Sequence, residues 1–228
     1  MNPILLLHGA LGTKAQLQPL ASLLRQYEAH TINFSGHGDA GPAKTALSIP
    51  LLAAQTAAYL EEHALPPVPI FGYSMGGYVA MYLARHYPGR VSRLITLGTK
   101  YHWNAATAAR ELKMLDAGVI EQKVPAFAAA LQERHAPHNW KQVLSATATL
   151  MQALGQAPAL GREDYAAISQ PCLLMLGDRD QMVSLQETVD VYKALPQAQL
   201  AVLPGTPHPI EKTDPSLVAA LVQRFLNG

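Results

Sequence analysis

Serine, aspartate and histidine stand in that order along the chain, each just past the end of an apolar run. Gly72-Tyr73-Ser74-Met75-Gly76 has the spacing G-x-S-x-G, and Gly77 extends it. The apolar stretch Pro69-Ile70-Phe71 precedes it, and a helix-forming stretch, Tyr78 to Ala84, follows at once. A strand–turn–helix of this kind holds a serine hydroxyl on a strained turn whose neighbours have to be small. The hydroxyl then stands at a helix N-terminus, which favours developing negative charge. A serine alcohol is a poor nucleophile until an adjacent base takes its proton. His208 ends Pro204-Gly205-Thr206-Pro207-His208, after the apolar run Gln199–Leu203, and is the candidate base. Before it, the run Leu173–Leu176 ends in Gly177-Asp178-Arg179-Asp180, and either aspartate is placed to orient the imidazole. Near the N-terminus, Ile4–Leu7 runs into His8-Gly9-Ala10-Leu11. Backbone N–H groups from this turn and from Met75 are candidate oxyanion donors, each typically worth ~10²–10³ in rate.

The remaining histidines read as structural. His8 and His37, the latter in Gly36-His37-Gly38, belong to turns; His30, His63 and His86 fall near element ends; His102, His135 and His138 lie in a region without strands. None has metal-ligand spacing, and neither H-E-x-x-H nor paired cysteines occur, so no metal and no cofactor is expected. The one cysteine, Cys172, lies in the apolar run to Leu176 and reads as a small core residue.

The elements that position these groups follow from periodicity. Short apolar runs at Ile4–Leu7, Ala29–Phe34, Val68–Tyr73, Val91–Leu97, Cys172–Leu176 and Gln199–Leu203 read as strands. Helix-periodic stretches separate them at Ala15–Tyr27, Leu51–His63, Met75–Tyr87, Leu185–Leu195 and Pro215–Leu226. Ser184 with Glu187 forms a capping-box pattern, and Asp214-Pro215 an N-cap followed by proline. Such alternation, with strands apolar on both faces, predicts an α/β protein: a mostly parallel sheet of about six strands flanked by helices. Lys100–Ser169 shows no strand; its Ala, Leu, Met and Gln content, broken at Gly118, Pro125, Pro137, Gly155 and Pro158, predicts three or four short helices. The expected organisation is a core domain of residues 1–99 and 170–228, with a helical cap subdomain of residues 100–169 inserted in it.

With 228 residues, 49% of them apolar and 14% charged, the chain buries a sizeable core. The net charge is +1, and no Lys/Arg run marks a nucleic-acid or anionic-membrane surface; neither partner is expected. No apolar stretch approaches a membrane span, and no signal peptide is apparent, so a cytoplasmic location is expected.

The segments Leu6-Leu7-His8-Gly9, Phe34-Ser35-Gly36-His37-Gly38, Gly72 to Gly77, Gly177-Asp178-Arg179-Asp180 and His208-Pro209-Ile210-Glu211 resemble the α/β-hydrolase superfamily, in its small-esterase and C–C-hydrolase branch. The resemblance implies Ser74, Asp180 and His208 as the triad, with Ala10 and Met75 giving the oxyanion donors. It implies a helical cap where the strandless region lies, and strand order second, first, third, fourth, fifth, sixth. It departs from the family at Asn33, where an acid is usual. The expected activity is hydrolysis of a small-molecule carboxylic ester or thioester through an acyl-enzyme. Tyr73, Met75, Trp103, Trp140, Met182 and Val183 are the candidate substrate-pocket residues. The same triad also serves C–C bond hydrolysis, a lyase step or perhydrolysis, and a hydrolase-like ligand-binding protein is a further alternative.

Overall fold

The computed structural model describes residues 1–228. Six strands form one sheet: β1 (Asn2–Leu7), β2 (Tyr27–Ile32), β3 (Val68–Tyr73), β4 (Val91–Leu97), β5 (Cys172–Gly177) and β6 (Ala198–Leu203). Their order is β2-β1-β3-β4-β5-β6, and every neighbouring pair is parallel. This is the architecture and the order expected from the sequence. In β1, Ile4 and Leu6 face one side while Leu5 and Leu7 face the other, and all four are fully buried. A central parallel strand is covered on both faces, so it carries no polar alternation. The edge strands β2 and β6 are only half buried. That is why the polar Tyr27-Glu28 start of β2 extends the strand before the apolar run at Ala29.

Parallel strands need crossovers, and helices supply them. These are α1 (Gln18–Leu23), α2 (Ile49–Glu62), α3 (Met75–His86), then α4 (Ala105–Leu112), α5 (Ala117–Lys123), α6 (Pro125–His135), α7 (Trp140–Gln156) and α8 (Arg162–Ala166), and finally α9 (Leu185–Ala194) and α10 (Pro215–Asn227). One sheet face packs on α2, α3 and α9 through Leu52, Val79 and Val191; the other packs on α1 and α10 through Leu20, Val222 and Phe225. The first helix is shorter than its periodicity suggests. A 3-10 turn at Lys14–Leu17 leads into α1, which stops at Leu23 before the turn into β2. The caps on α9 and α10 form as expected: Ser184 Oγ accepts from Glu187 N–H, and Asp214 accepts from Ser216 N–H at 2.8 Å. Each such cap typically contributes ~1 kcal/mol.

Between β4 and β5 the chain has no strand and makes five helices, where the sequence suggested three or four. Their packing is divided. Leu131, Trp140, Val143 and Leu144 form a small cluster with Ile120 and Leu11, whereas Leu150, Leu154, Leu160, Tyr165 and Ile168 join the main core. So α7 spans both, with its first turns over the N-terminal loop and its last turns in the core. No helix is long and apolar enough to cross a membrane.

Three fully buried histidines fasten α6 to the sheet. The His8–His37 and His37–His135 ring centroids lie 5.2 and 5.8 Å apart. His8 Nδ1–H donates to Gly9 C=O at 2.8 Å, and its Nε2 accepts from Phe34 N–H at 3.1 Å. His135 Nδ1 accepts from Gly38 N–H at 3.0 Å, which leaves its Nε2–H to donate to Leu11 C=O at 3.2 Å. His8 and His135 are thus each used as a neutral imidazole, and His37 Nδ1–H donates to Ser35 C=O at 3.2 Å. Burial holds His37 and His135 down to about 4, from 6.5, and lowers His8 strongly. Because the folded values lie below the unfolded one, the unfolded chain binds these protons first as pH falls. The stability they contribute is complete above about pH 6.5 and is lost progressively towards pH 4, by on the order of 3 kcal/mol for one such residue. The melting temperature is therefore expected to fall across that window. In His37→Gln the slope of melting temperature against pH should be shallower over the same range; an equal slope would show that this cluster does not set the acid sensitivity.

Candidate active site

Ser74 occupies the turn between β3 and α3 with φ 50° and ψ −115°, a conformation that a residue with a side chain adopts only under constraint. The constraint is packing. A Cβ on Gly76 would collide with the carbonyl groups of Leu7 and His8 at the end of β1, and one on Gly72 would strike the backbone of Gly76 and Gly77. The first turn of α3 therefore lies directly against the backbone of β1 and β3. Ser74 N–H donates to Leu97 C=O at 2.9 Å, tying the turn to the end of β4 as well.

His208 follows β6, and its Nε2 lies 3.2 Å from Ser74 Oγ. Its Nδ1 lies 2.7 Å from Asp180 Oδ2, in the loop after β5. An Nδ1–H donating to Asp180 leaves Nε2 free to accept the serine proton. The Asp180 side chain is 2% exposed and that of His208 10%. The other Asp180 oxygen, Oδ1, accepts from the N–H groups of Met182 and Val183, each at 2.8 Å, so the carboxylate cannot swing away from the imidazole. Asp178 does something else. Its Oδ1 accepts from Thr206 N–H at 3.2 Å, which braces the loop that carries His208. Tyr73 O–H donates to His208 C=O at 2.9 Å, and burial pushes its hydroxyl well above the usual tyrosine range, so it stays a neutral donor.

The turn Gly9–Gly12 lies beside this chain of groups. Neither Ala10 N–H nor Met75 N–H donates to a protein acceptor in the turns and loops, and Met75 opens α3, where first-turn N–H groups have no intrahelical partner. Leu11 has φ 56°, and its carbonyl is clamped by Arg134 Nη1–H at 3.0 Å and by His135. Arg134 also pairs with Glu211 at 3.1 Å, in the segment following His208. The end of α6 thus holds both the N-terminal turn and the histidine loop. Asn33, where the family has an acid, accepts from Lys14 N–H and donates to Asp39, each at 2.7 Å, and so ties down the same turn.

Two hollows meet at Ser74 and His208, sharing Ala10, Glu111, Met151 and Met182 in their walls. The smaller holds about 40 Å³ and is walled mostly by apolar groups, among them Ile49, Met75, Leu150, Leu154 and Val183. The larger holds about 280 Å³ and reaches Tyr73, Phe127, Arg134 and Glu211. Of the residues singled out from the sequence, Ala10, Tyr73, Met75, Trp103, Met182 and Val183 border these hollows. Trp140 does not. It is 4% exposed in the Leu131–Val143–Leu144 cluster, because it sits at the first turn of α7 while the hollow meets Leu150, Met151 and Leu154 near that helix's end. Sequence reasoning missed those three, although their i, i+1, i+4 spacing marks one helix face. It also missed Lys100 and Glu111, which line the small hollow.

Comparison with known proteins identifies the family and the fold. The sequence model of the alpha/beta hydrolase fold family matches residues 2–148. Esterase YbfF of Escherichia coli is 24% identical over 99% of this chain and 93% of its own length. The sn-1-specific diacylglycerol lipase ABHD11 of Mus musculus is 28% identical over 98% of this chain and 80% of its own. The solved structure of a thermophilic esterase from Thermogutta terrifontis shares the fold, with a TM-score of 0.78 and 21% identity over 100% of this chain and 90% of that one.

The two aspartates are distinguishable by substitution. Asp180→Asn is expected to lower kcat by ~10³–10⁴, since an amide at that place favours the wrong imidazole tautomer. Asp178→Asn leaves the imidazole contact intact and should act mainly on melting temperature. Steady-state kinetics of both variants on one ester decide the matter, and a reversed ranking would reject Asp180.

Proposed function

From the premise that this chain belongs to the α/β-hydrolase family and is a hydrolase, we propose that it cleaves small carboxylic esters or thioesters through Ser74, His208 and Asp180. The observation that carries the reading is the unbroken series from Ser74 Oγ through His208 to Asp180, at 3.2 and 2.7 Å, opening onto a small apolar hollow. His208 Nε2 takes the Ser74 proton as Oγ attacks the ester carbonyl. The carbonyl oxygen becomes an oxyanion, held by the N–H groups of Ala10 and Met75. His208 then gives its proton to the leaving alcohol or thiol, and Ser74 keeps the acyl group. Water enters, His208 takes its proton, and collapse of the second oxyanion frees the acid and restores Ser74. Asp180 holds the imidazole in the productive tautomer and stabilises it when charged.

The hollows support a small acyl group. With a volume of only about 40 Å³, the smaller hollow suits a short chain rather than a long one. The larger hollow suits the leaving group. We take the helices between β4 and β5 as the cap that shapes both, and the cytoplasm as the working compartment.

A fluorophosphonate probe is expected to label Ser74 and to fail on Ser74→Ala. Hydrolysis of a short-chain ester should drop by ~10⁶ in that variant, because the three groups act as a unit. Undiminished labelling or turnover in Ser74→Ala would overturn the assignment.

A further inference from the structure

His208 sits between two prolines, in Thr206-Pro207-His208-Pro209-Ile210. A proline has no N–H to give, so this stretch has few main-chain groups with which to hold itself in place. Upstream, Thr206 N–H donates to Asp178, and Thr206 C=O accepts from Arg179 N–H at 3.1 Å. Downstream, Pro209 C=O accepts from Lys212 N–H at 2.9 Å. Between them, the main chain of Pro207 and His208 takes part in one hydrogen bond within the protein, from Tyr73 O–H to His208 C=O at 2.9 Å. The donor is itself firmly placed. Tyr73 is the last residue of β3, is paired with Leu97 of β4, and is 9% exposed. Its ring edge lies on the backbone of Gly9, where a Cβ would come within 2.8 Å of Tyr73 Cε1. Its ring centroid is 5.5 Å from that of the His208 imidazole. The next residue along the chain is Ser74, whose Oγ lies 3.2 Å from His208 Nε2.

We propose that Tyr73 is a positioning residue, whose hydroxyl holds the main chain of His208 so that the imidazole meets Ser74 and Asp180 together. This rests on the reading of His208 as the base for Ser74. A hydrogen bond to one ring nitrogen leaves an imidazole free to pivot about that contact. The ring is located only when its backbone is held as well. Asp180 holds Nδ1 at 2.7 Å, and Tyr73 holds the backbone. Because Tyr73 and Ser74 are adjacent, Ser74 and the anchor of its base are carried by the same end of β3. The hydroxyl moves no proton in the reaction and acts only through His208. Such a role matters for rate, since a displacement of about 1 Å at the reacting atoms can cost ~10².

The test substitutes Tyr73→Phe, which removes the hydroxyl and keeps the ring. Tyr101→Phe is the comparison, because its buried hydroxyl likewise loses one hydrogen bond, to Thr96 at 2.7 Å. Turnover of a short-chain ester is expressed per Ser74 titrated to completion with fluorophosphonate, so the folded fraction of a variant cancels. In Tyr73→Phe, kcat and the rate of Ser74 labelling should both fall by about 10–100-fold, from one lost neutral hydrogen bond at the lower end to a displaced imidazole at the upper, while KM stays within about twofold. Tyr101→Phe should lower the melting temperature and leave kcat unchanged. In protein labelled with ¹⁵N-histidine, the His208 Nδ1–H should exchange faster with solvent in Tyr73→Phe and not in Tyr101→Phe. A double-mutant cycle with Asp180→Asn identifies the route. If Tyr73 acts by keeping the imidazole on Asp180, its substitution should cost less than about threefold once that carboxylate is gone. An unchanged kcat in Tyr73→Phe, or an equal loss with and without Asp180→Asn, would overturn the proposal. If Ser74 is labelled, and more slowly in Tyr73→Phe, but no ester turns over, the ester reading falls and the positioning role stands. If Ser74 of the unaltered protein is not labelled, the reading of His208 as its base falls, and the role of Tyr73 with it.

Discussion

The close approach of α3 to the ends of β1 and β3 governs the rest of the structure. Gly76 rests on the carbonyl groups of Leu7 and His8, where no side chain fits. Only that contact lets the chain leave β3 and enter a helix within one residue, and it forces Ser74 into φ 50°. The conformation is held in place because Ser74 N–H is bound by β4 and α3 is buried from Gly76 to Met81 and at Leu83 and Ala84. Two consequences follow from the same contact. The Ser74 hydroxyl stands clear of the sheet edge, and Met75 N–H, at the positive end of a 12-residue helix, has no internal acceptor. A larger residue at position 76 would disturb Ser74, the neighbouring N–H and the N-terminal turn together.

Around that fixed point the loops are secured from several directions. The aspartate loop is held by Met182 and Val183 N–H groups, the histidine loop by Asp178 and Tyr73, and the N-terminal turn by His8, Asn33 and α6. Most of these anchors are backbone groups or neutral side chains, which keep their hydrogen bonds without taking a proton from the Ser74–His208–Asp180 series. Arg134 joins two loops at once, so the orientation of α6 reaches the site through both the Leu11 carbonyl and Glu211.

Much of this was legible in the sequence, for a definite reason. The strands of a parallel sheet announce themselves as short, wholly apolar runs, and chemistry at their ends is written in the few residues that follow. Ser74, Asp180, His208, Ala10 and Met75 all fall at such ends, and the order of the strands followed from family resemblance. The misses share another cause. Trp140 looked like a pocket residue because a tryptophan in a helical insert is conspicuous, but which turn of α7 faces the hollow is set by tertiary packing. Glu111, in Ala-Ala-Arg-Glu-Leu, reads locally as a solvated helix position, and only the fold makes it 2% exposed. Glu187 was recognised as a helix cap, yet its carboxylate also accepts from Tyr101 and His102 N–H, 85 or more residues away in sequence. Local patterns report local partners, and nothing in them signals a second set.

That division follows the division of labour in the molecule. Ser74, Asp180 and His208 sit on sheet ends, where a one-residue slip in register would transfer whole rows of side chains to the opposite face, so their positions are strongly determined. The groups around the small hollow come largely from the segment between β4 and β5: Lys100, Trp103, Glu111, Leu150, Met151 and Leu154. These helices keep their places by side-chain packing and a few hydrogen bonds, with no strand ladder to set their register. A change of residue there alters the hollow without touching Ser74, His208 or Asp180. Yet the separation is incomplete, because Leu150 and Leu154 also belong to the main core and α6 clamps two loops of the site. The helical segment can therefore vary its inward-facing side chains more readily than its backbone: the first changes what enters the hollow, and the second moves the N-terminal turn and the histidine loop with it.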